Sequence, residues 1–171
     1  IYPVAVKIDS PDVLHKTEKK GVVLGVADES ELKKIVSKMR VDFSGGNIIT
    51  QPMAERGMEL ILGIKKDSIF GPIVLYGLGG IYTEVFKTVE FLIPLESKDR
   101  IMEKLVSGKL GFLFEETRGQ ARYNLEELAD ILYNLQCLAR EIDGIEEFDI
   151  NPLLVYNNGK KSVAVDVKII F

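Results

Sequence analysis

The sequence predicts an α+β fold rather than a doubly wound parallel sheet. Segments with alternating apolar residues occur in groups that are joined by short turns containing glycine or proline, which is typical of antiparallel hairpins. Segments with helical spacing are few, and they are interspersed among the strands instead of following each one. Parallel strands need a long crossover between them, so this order of elements favours antiparallel sheets.

The first part of the chain contains one predicted helix among three predicted strands. Residues 28–40 begin with acidic side chains and carry apolar residues at helical spacing, which predicts an amphipathic helix. A polar loop over residues 13–20 contains His15. Alternating apolar side chains predict strands at residues 4–8, 22–26 and 47–51.

The second part continues this pattern with longer segments. Alternation predicts strands at residues 58–64, 72–76 and 81–92. Helical spacing predicts helices at residues 98–107 and 125–142, with an irregular segment centred on residues 115–119 between them.

The last segment predicts a β-hairpin whose register can be read from the sequence. Asn158-Gly159 lies between two alternating apolar runs, and this is the strongest short-range hairpin signal. If these two residues form the loop, Asn151 lies directly across from Asp166. One face of the hairpin is then apolar throughout, with Phe148, Ile150, Pro152 and Leu154 opposite Ile169, Val167, Val165 and Val163. A shift of one residue would mix the two faces.

The other face of this hairpin carries oxygen donors. Asp149 and Asn151 lie there, across from Lys168 and Asp166. Directly opposed residues have Cβ atoms roughly 4.5–5.5 Å apart, so Asn151 and Asp166 could share one divalent cation. A solvent-exposed face near a turn can also carry such residues without any function. The spacing alone leaves both interpretations open.

Composition and charge exclude several classes of protein. The chain has 171 residues, of which 46% are hydrophobic and 28% charged, as in an ordinary soluble globular protein. A net charge of -4 gives no field that favours nucleic acid or an anionic membrane. The single cysteine excludes an intrachain disulfide framework. Apolar runs are no longer than strands and no leader precedes them, so we expect a cytoplasmic protein. The first residue is not methionine, which suggests an expressed fragment, a processed product or a piece of a longer polypeptide.

Three further features could carry chemistry. Lys7 ends the first strand with its side chain opposite the apolar stripe, where a lysine can contact a phosphate or, on an edge strand, extend to solvent. Gly77-Leu-Gly-Gly80 could let a backbone approach phosphate oxygens, but it lacks the Walker and dinucleotide-binding patterns and alone indicates a tight turn. His15 lies among lysines that favour a neutral imidazole, the form that can attack a phosphoryl group, although loop histidines are usually solvated and idle.

Four blocks of this sequence, taken in order, resemble a known family. They are residues 2–16, 71–80, 149–155 and 163–166, and together they extend over nearly the whole chain. These blocks resemble the ATP-grasp domain of ADP-forming acyl-CoA synthetases, of the acetyl-CoA synthetase β-subunit type, which is related to the succinyl-CoA synthetase β subunit. The resemblance implies two lobes of mostly antiparallel sheet with packed helices. Residues 1–52 would be the remainder of an incomplete N-terminal lobe, and residues 53–171 the C-terminal lobe.

The resemblance also implies roles for particular residues. His15 would relay a phosphoryl group from a phosphohistidine of a partner α subunit to ADP. Arg118 would lie near the transferred phosphate, and Asp149 could orient the imidazole. Asn151 and Asp166 would be the ligands of Mg²⁺. Contacts to ATP or ADP would come from Lys7, Gln51, Met53, Ala54 and Glu59.

The implied activity is that of an acid–CoA ligase (ADP-forming), which interconverts acyl-CoA, ADP and phosphate with the acid, CoA and ATP. This chain would be the nucleotide half. The CoA-binding and acyl-phosphate-forming site would belong to the α subunit or domain, so we expect a hetero-oligomer. Two alternatives are a non-catalytic regulatory ATP-grasp module and another ATP-grasp carboxylate ligase, and the presence of His15 argues against both.

Overall fold

The computed structural model describes residues 1–10, 21–43, 45–80, 89–93, 96–116, 119 and 121–171. These residues form two compact units, Ile1–Glu55 and Arg56–Phe171. The residues of the first unit were predicted as three strands and a helix, and those of the second as hairpins with two helices. Both predictions are confirmed for the described residues.

The first unit is a small antiparallel sheet with one helix. Its strands are β1 (Val4–Asp9), β2 (Val22–Val26) and β3 (Asn47–Pro52), in the order β2-β1-β3. The helix α1 (Glu29–Asp42) begins at an acidic cap, because the Asp28 side chain accepts the backbone N–H of Glu31 at 2.9 Å. The apolar face of α1 packs on the sheet in a core that contains Val4, Val6, Val26 and Met39.

The second unit contains a six-stranded antiparallel sheet. Its strands are β4 (Met58–Asp67), β5 (Gly71–Leu78), β6 (Val89–Leu92), β7 (Glu147–Val155), β8 (Val163–Ala164) and β9 (Val167–Ile170). They lie in the order β6-β5-β4-β7-β8, and β9 also pairs with β7. Every strand pair is antiparallel, as the order of elements predicted.

Two helices cover one face of this sheet. They are α2 (Lys98–Ser107), capped by Ser97, and α3 (Leu125–Glu141), capped by Asn124. A short 3-10 helix, Gly111–Phe114, lies within the segment between them and was not predicted. The main core forms where helix and sheet meet, and it includes Leu60, Leu62, Val74, Tyr76, Ile101, Leu105, Leu128 and Leu132. Across the described ranges, the helices are too short or too polar to cross a membrane.

A buried glutamine ties α3 to the segment that precedes α2. Gln136 is 3% exposed, and its side chain accepts the backbone N–H of Glu96 and donates to the Glu96 carbonyl oxygen, both at 3.2 Å. The Glu96 carboxylate accepts from the Lys104 ammonium of α2. One chain segment is therefore fixed to both helices through partly buried polar groups.

The predicted apolar face of the last hairpin is only partly correct. The register between β4 and β7 shifts between Leu60 and Leu62, so that β7 has one residue more than β4 at Asn151 and Pro152. Beyond that point the alternation reverses, and Leu153 rather than Leu154 joins the main core. The opposite strand lies at the edge of the sheet, where Val163, Val167 and Ile169 are 39%, 48% and 47% exposed.

Candidate functional site

The structure confirms the predicted pairing of Asn151 with Asp166. The backbone N–H of Asn151 donates to the carbonyl oxygen of Asp166 at 3.1 Å, and the N–H of Val165 donates to Pro152 at 3.0 Å. Ladder pairs continue this register on both sides, from Ile150 with Val167 to Leu153 with Ala164. The predicted two-residue loop is wrong, because the ladder ends at Leu154 and Val163 and a longer loop connects β7 to β8.

The side chains of Asn151 and Asp166 are not bonded to other residues that the structure describes. Asn151 is exposed and Asp166 is half-buried. Neither side chain makes a hydrogen bond or ion pair with another residue that the structure describes. An amide oxygen and a carboxylate are donors that Mg²⁺ accepts, and Mg²⁺ in such sites takes its other ligands from phosphates and water. The pair therefore fits a nucleotide-bound magnesium ion, whereas the described residues contain no cluster of three or more ligating side chains.

Asp149 has an acidic environment. Burial raises the pKa of its carboxyl group, the Glu147 and Asp166 carboxylates raise it further, and the Lys168 ammonium lowers it. Lys168 is the cross-strand partner of Asp149, and its Nζ lies 3.0 Å from Oε1 of Glu147. Asp149 and Asp166 therefore lie close enough to interact, as the predicted shared face requires.

A cleft of about 640 Å³ opens in the second unit. Its volume is within the range of small-ligand sites. Glu59, which was predicted to contact a nucleotide, is exposed in this cleft, and Asn151 and Asp166 are not among its lining residues. The lining residues are Arg56, Gly57, Met58, Glu59, Gly80, Tyr123, Val155, Tyr156, Asn157 and Asn158.

Sequence reasoning missed the aromatic wall of this cleft. Tyr156 packs its ring on Gly57, where an added Cβ would lie 2.9 Å from Cε1 of the tyrosine. Burial raises the pKa of the Tyr123 phenol above its ordinary value. Gly57 lies just before β4, Tyr156 just after β7 and Tyr123 just before α3. No local pattern connects such distant segments, so only the fold reveals them.

The other predicted nucleotide contacts lie in the first unit. Lys7 lies within the central strand β1, not at a strand end or on an edge strand, and it is 4% exposed. The prediction that Lys7 ends its strand, and the alternative of a lysine on an edge strand, are therefore both wrong. Gln51 is half-buried and pairs with Ala5. The backbone N–H of Met53 donates to Pro3 at 3.2 Å, and Ala54 is half-buried.

Two of the predicted catalytic residues, His15 and Arg118, lie outside the described residues. The roles of His15 and Arg118 therefore stay predictions from the family resemblance.

Comparison with known proteins identifies the family. The profile of the ATP-grasp domain matches residues 1–171. The chain is 35% identical to the β subunit of acetate–CoA ligase (ADP-forming) II from Pyrococcus furiosus, over 99% of this chain and 75% of that subunit. It is 33% identical to 4-hydroxybutyrate–CoA ligase (ADP-forming) from Nitrosopumilus maritimus, over 98% of this chain and 25% of that enzyme.

Solved structures show the same fold. A crystal structure from Pyrococcus horikoshii superposes with a TM-score of 0.87 at 32% identity, over 99% of this chain and 75% of that one. The acetyl-coenzyme A synthetase 1 of Candidatus Korarchaeum cryptofilum gives a TM-score of 0.82 at 32% identity, over 99% of this chain and 76% of that one. That structure holds coenzyme A and Mg-AMPPCP, and its phosphohistidine segment points towards the nucleotide-binding site. The chain belongs to the ATP-grasp domain family, and within it to the group of ATP-grasp subunits of ADP-forming acid–CoA ligases.

Proposed function

We propose that this chain is the nucleotide-handling part of an ADP-forming acid–CoA ligase. The observation that carries the proposal is the cross-strand pairing of Asn151 with Asp166, in which neither side chain is bonded to another residue that the structure describes. The backbone pairing thus presents two oxygen donors that suit the magnesium ion of a bound nucleotide. When bound, that ion would neutralise charge on the phosphate oxygens.

The chain's own residues then position the nucleotide. Glu59 accepts hydrogen bonds in the cleft of the second unit, and because it is an anion it favours the sugar or base over the phosphates. Lys7 contacts the phosphates as a cation, and Arg118 neutralises charge on the transferred group. Gln51, Met53 and Ala54 contact the nucleoside. Phosphoryl transfer asks a protein mainly for such positioning and charge neutralisation.

His15 is the relay nucleophile of this proposal. In the direction of ATP synthesis its neutral imidazole attacks the phosphorus of a phosphohistidine in the partner subunit, and a new N–P bond forms as the partner's N–P bond breaks. A terminal phosphate oxygen of ADP then attacks the same phosphorus. The N–P bond at His15 breaks, ATP leaves, and the imidazole is regenerated. Asp149 orients the ring by accepting a hydrogen bond from its second nitrogen.

The acyl group is recognised elsewhere. The similar proteins named above act, by their names, on acetate and on 4-hydroxybutyrate. These acids differ in length and polarity while the ATP-grasp part remains similar. We therefore assign acyl and CoA recognition to a partner α subunit or domain, which also supplies the phosphohistidine.

Phosphorylation of His15 tests the proposal. Incubation with [γ-³²P]ATP and Mg²⁺, alone and with the partner subunit, should give an acid-labile and base-stable label that mass spectrometry maps to residue 15. His15→Ala should bind ATP but carry no label and support no turnover, while Thr17→Ala, a change two residues away in sequence, should behave as wild type. Nucleotide binding without any label would instead indicate a regulatory module. Unchanged turnover in assembled His15→Ala would contradict the relay.

A further inference from the structure

We propose that Gly80 is a positioning residue that determines where the Glu59 carboxylate lies in the cleft. This inference rests on the proposed function, in which Glu59 contacts the nucleotide. It assigns a role to the Gly77-Leu-Gly-Gly80 turn, which is neither a Walker loop nor a dinucleotide-binding loop.

The end of β5 is held against the backbone of Glu59. Leu78 is the ladder partner of Leu60, and the N–H of Gly79 donates to the carbonyl oxygen of Glu59 at 2.8 Å. A Cβ at residue 79 would lie 3.1 Å from the carbonyl carbons of Glu59 and Leu60. Those atoms belong to a paired strand, so they can move little. Glycine at 79 thus permits the close approach that brings residue 80 to Glu59.

Gly80 provides the space that the carboxylate occupies. A Cβ at residue 80 would overlap Oε2 of Glu59 and lie 3.5 Å from its Cδ. Gly80 also has a φ of 60°, in the left-handed region that favours glycine. Because Oε2 is the end of a flexible side chain, a larger residue at 80 would displace the carboxylate and leave the sheet unchanged.

Both residues line the cleft, so this contact has a consequence for binding. Because Gly80 has no Cβ, the carboxylate can lie at this place on the wall. A carboxylate accepts hydrogen bonds from ligand hydroxyl groups, and each such bond depends on donor and acceptor geometry. Displacing the carboxylate should therefore weaken nucleotide binding as if the glutamate had been partly removed.

Gly80→Ala tests the proposal, and Gly71→Ala is its matched control. Gly71 lies at the other end of β5 with a φ of 74°, and nothing lies within 4 Å of an added Cβ. Both variants place alanine in a left-handed conformation, so both should lose a few degrees of Tm. Only Gly80→Ala should weaken ADP binding in calorimetry with Mg²⁺, by about tenfold. If Glu59→Ala itself weakens ADP binding, equal ADP affinities in Gly80→Ala and Gly71→Ala would overturn the proposal.

A double-mutant cycle shows whether Gly80→Ala weakens ADP binding through Glu59. In a Glu59→Ala background, Gly80→Ala should cause no further loss of ADP affinity, because the displaced group is already absent. A loss of the same size in both backgrounds would overturn the proposal, since Gly80 would then act on the ligand without Glu59.

Crystal structures distinguish this proposal from the proposed function. In Gly80→Ala without nucleotide, the Glu59 carboxylate should have rotated away from residue 80, and an unmoved carboxylate would overturn the positioning role. If the carboxylate moves and yet Glu59→Ala binds ADP normally, the positioning role is supported and the assigned nucleotide contact of Glu59 fails.

Discussion

Asn151 and Asp166 face each other across the edge of the larger sheet, with the Asn151 N–H 3.1 Å from the Asp166 carbonyl oxygen. The backbone pairing fixes the two Cα atoms, so the side chains start from a defined separation. Sites built on paired strands hold their ligands with less freedom than sites on loops. The backbone of the two proposed metal ligands is therefore held in a defined register.

Removing one of these side chains should affect only metal-assisted binding. Asp166→Ala should weaken ADP binding at least about tenfold with Mg²⁺ present, since a lost charged contact is worth more than about 1.4 kcal/mol. Without Mg²⁺, wild type and variant should bind ADP alike. Calorimetric titrations at both conditions give the comparison. As a control, Asp143→Ala removes an exposed carboxylate elsewhere and should bind ADP with wild-type affinity. Wild-type ADP affinity of Asp166→Ala in Mg²⁺ would show that the pair holds no metal.

The register shift in β7 predicts an unexpected order of stabilities. Leu153 is 3% exposed and belongs to the main core, whereas Leu154 is 8% exposed and lies outside that core. Leu153→Ala should cost about 2–5 kcal/mol of unfolding free energy, and Leu154→Ala should cost less. Chemical denaturation measures both. Simple alternation from Phe148 and Ile150 predicts the reverse order, which would be evidence against the shift.

Gln136 should stabilise the fold without affecting the site. Its side chain satisfies both backbone groups of Glu96 inside the protein. Gln136→Ala should cost about 1–3 kcal/mol, because those groups would lose their partners. Asn134→Ala, an exposed change in the same helix, should stay within about 0.5 kcal/mol of wild type. Equal stabilities of the two variants would show that the Gln136 side chain does not bond the backbone of Glu96.

The stability that the turn between β4 and β5 contributes should depend on pH. Asp67 accepts the backbone N–H groups of Phe70 and Ile69, and these bonds hold the pKa of its carboxyl group below the ordinary 3.8. Because this pKa is lower in the folded protein than in the unfolded chain, the ionised carboxylate stabilises the fold above pH 3.8. That stabilisation is lost as the pH falls further, through the folded-state pKa. The Tm difference between wild type and Asp67→Ala should therefore shrink below that pH. The Tm difference between wild type and Ser68→Ala should not change with pH. A Tm difference for Asp67→Ala that stays constant as the pH falls would contradict the role of the Asp67 carboxylate in the turn.

Much of this fold follows from local patterns. The bounds of α2 were predicted correctly from its spacing, and the hairpin register from Asn158-Gly159 places Asn151 opposite Asp166 as observed. Both depend on residues close in sequence. The extra residue at Asn151 and Pro152 depends instead on the pairing of β7 with β4, about ninety residues earlier. Alternation within one strand carries no information about that partner, so the core position of Leu153 was missed.

The cleft could not be predicted for a similar reason. Glu59 was identified through a family resemblance, but Tyr123 and Tyr156 carry no local signal of a ligand site. The burial of Lys7 was also missed. Its strand pattern gave the face on which it lies, but not that β1 is the central strand, which depends on β2 and β3 pairing on either side.

Locating the metal tests the central claim most directly. Crystals grown with ADP and Mn²⁺ would show the ion through its anomalous signal. The account predicts one peak within roughly 2.0–2.6 Å of the Asn151 amide oxygen and of an Asp166 carboxylate oxygen, with ADP phosphate oxygens completing the ligand shell. A metal–nucleotide complex bound elsewhere, with these two side chains pointing apart, would contradict it.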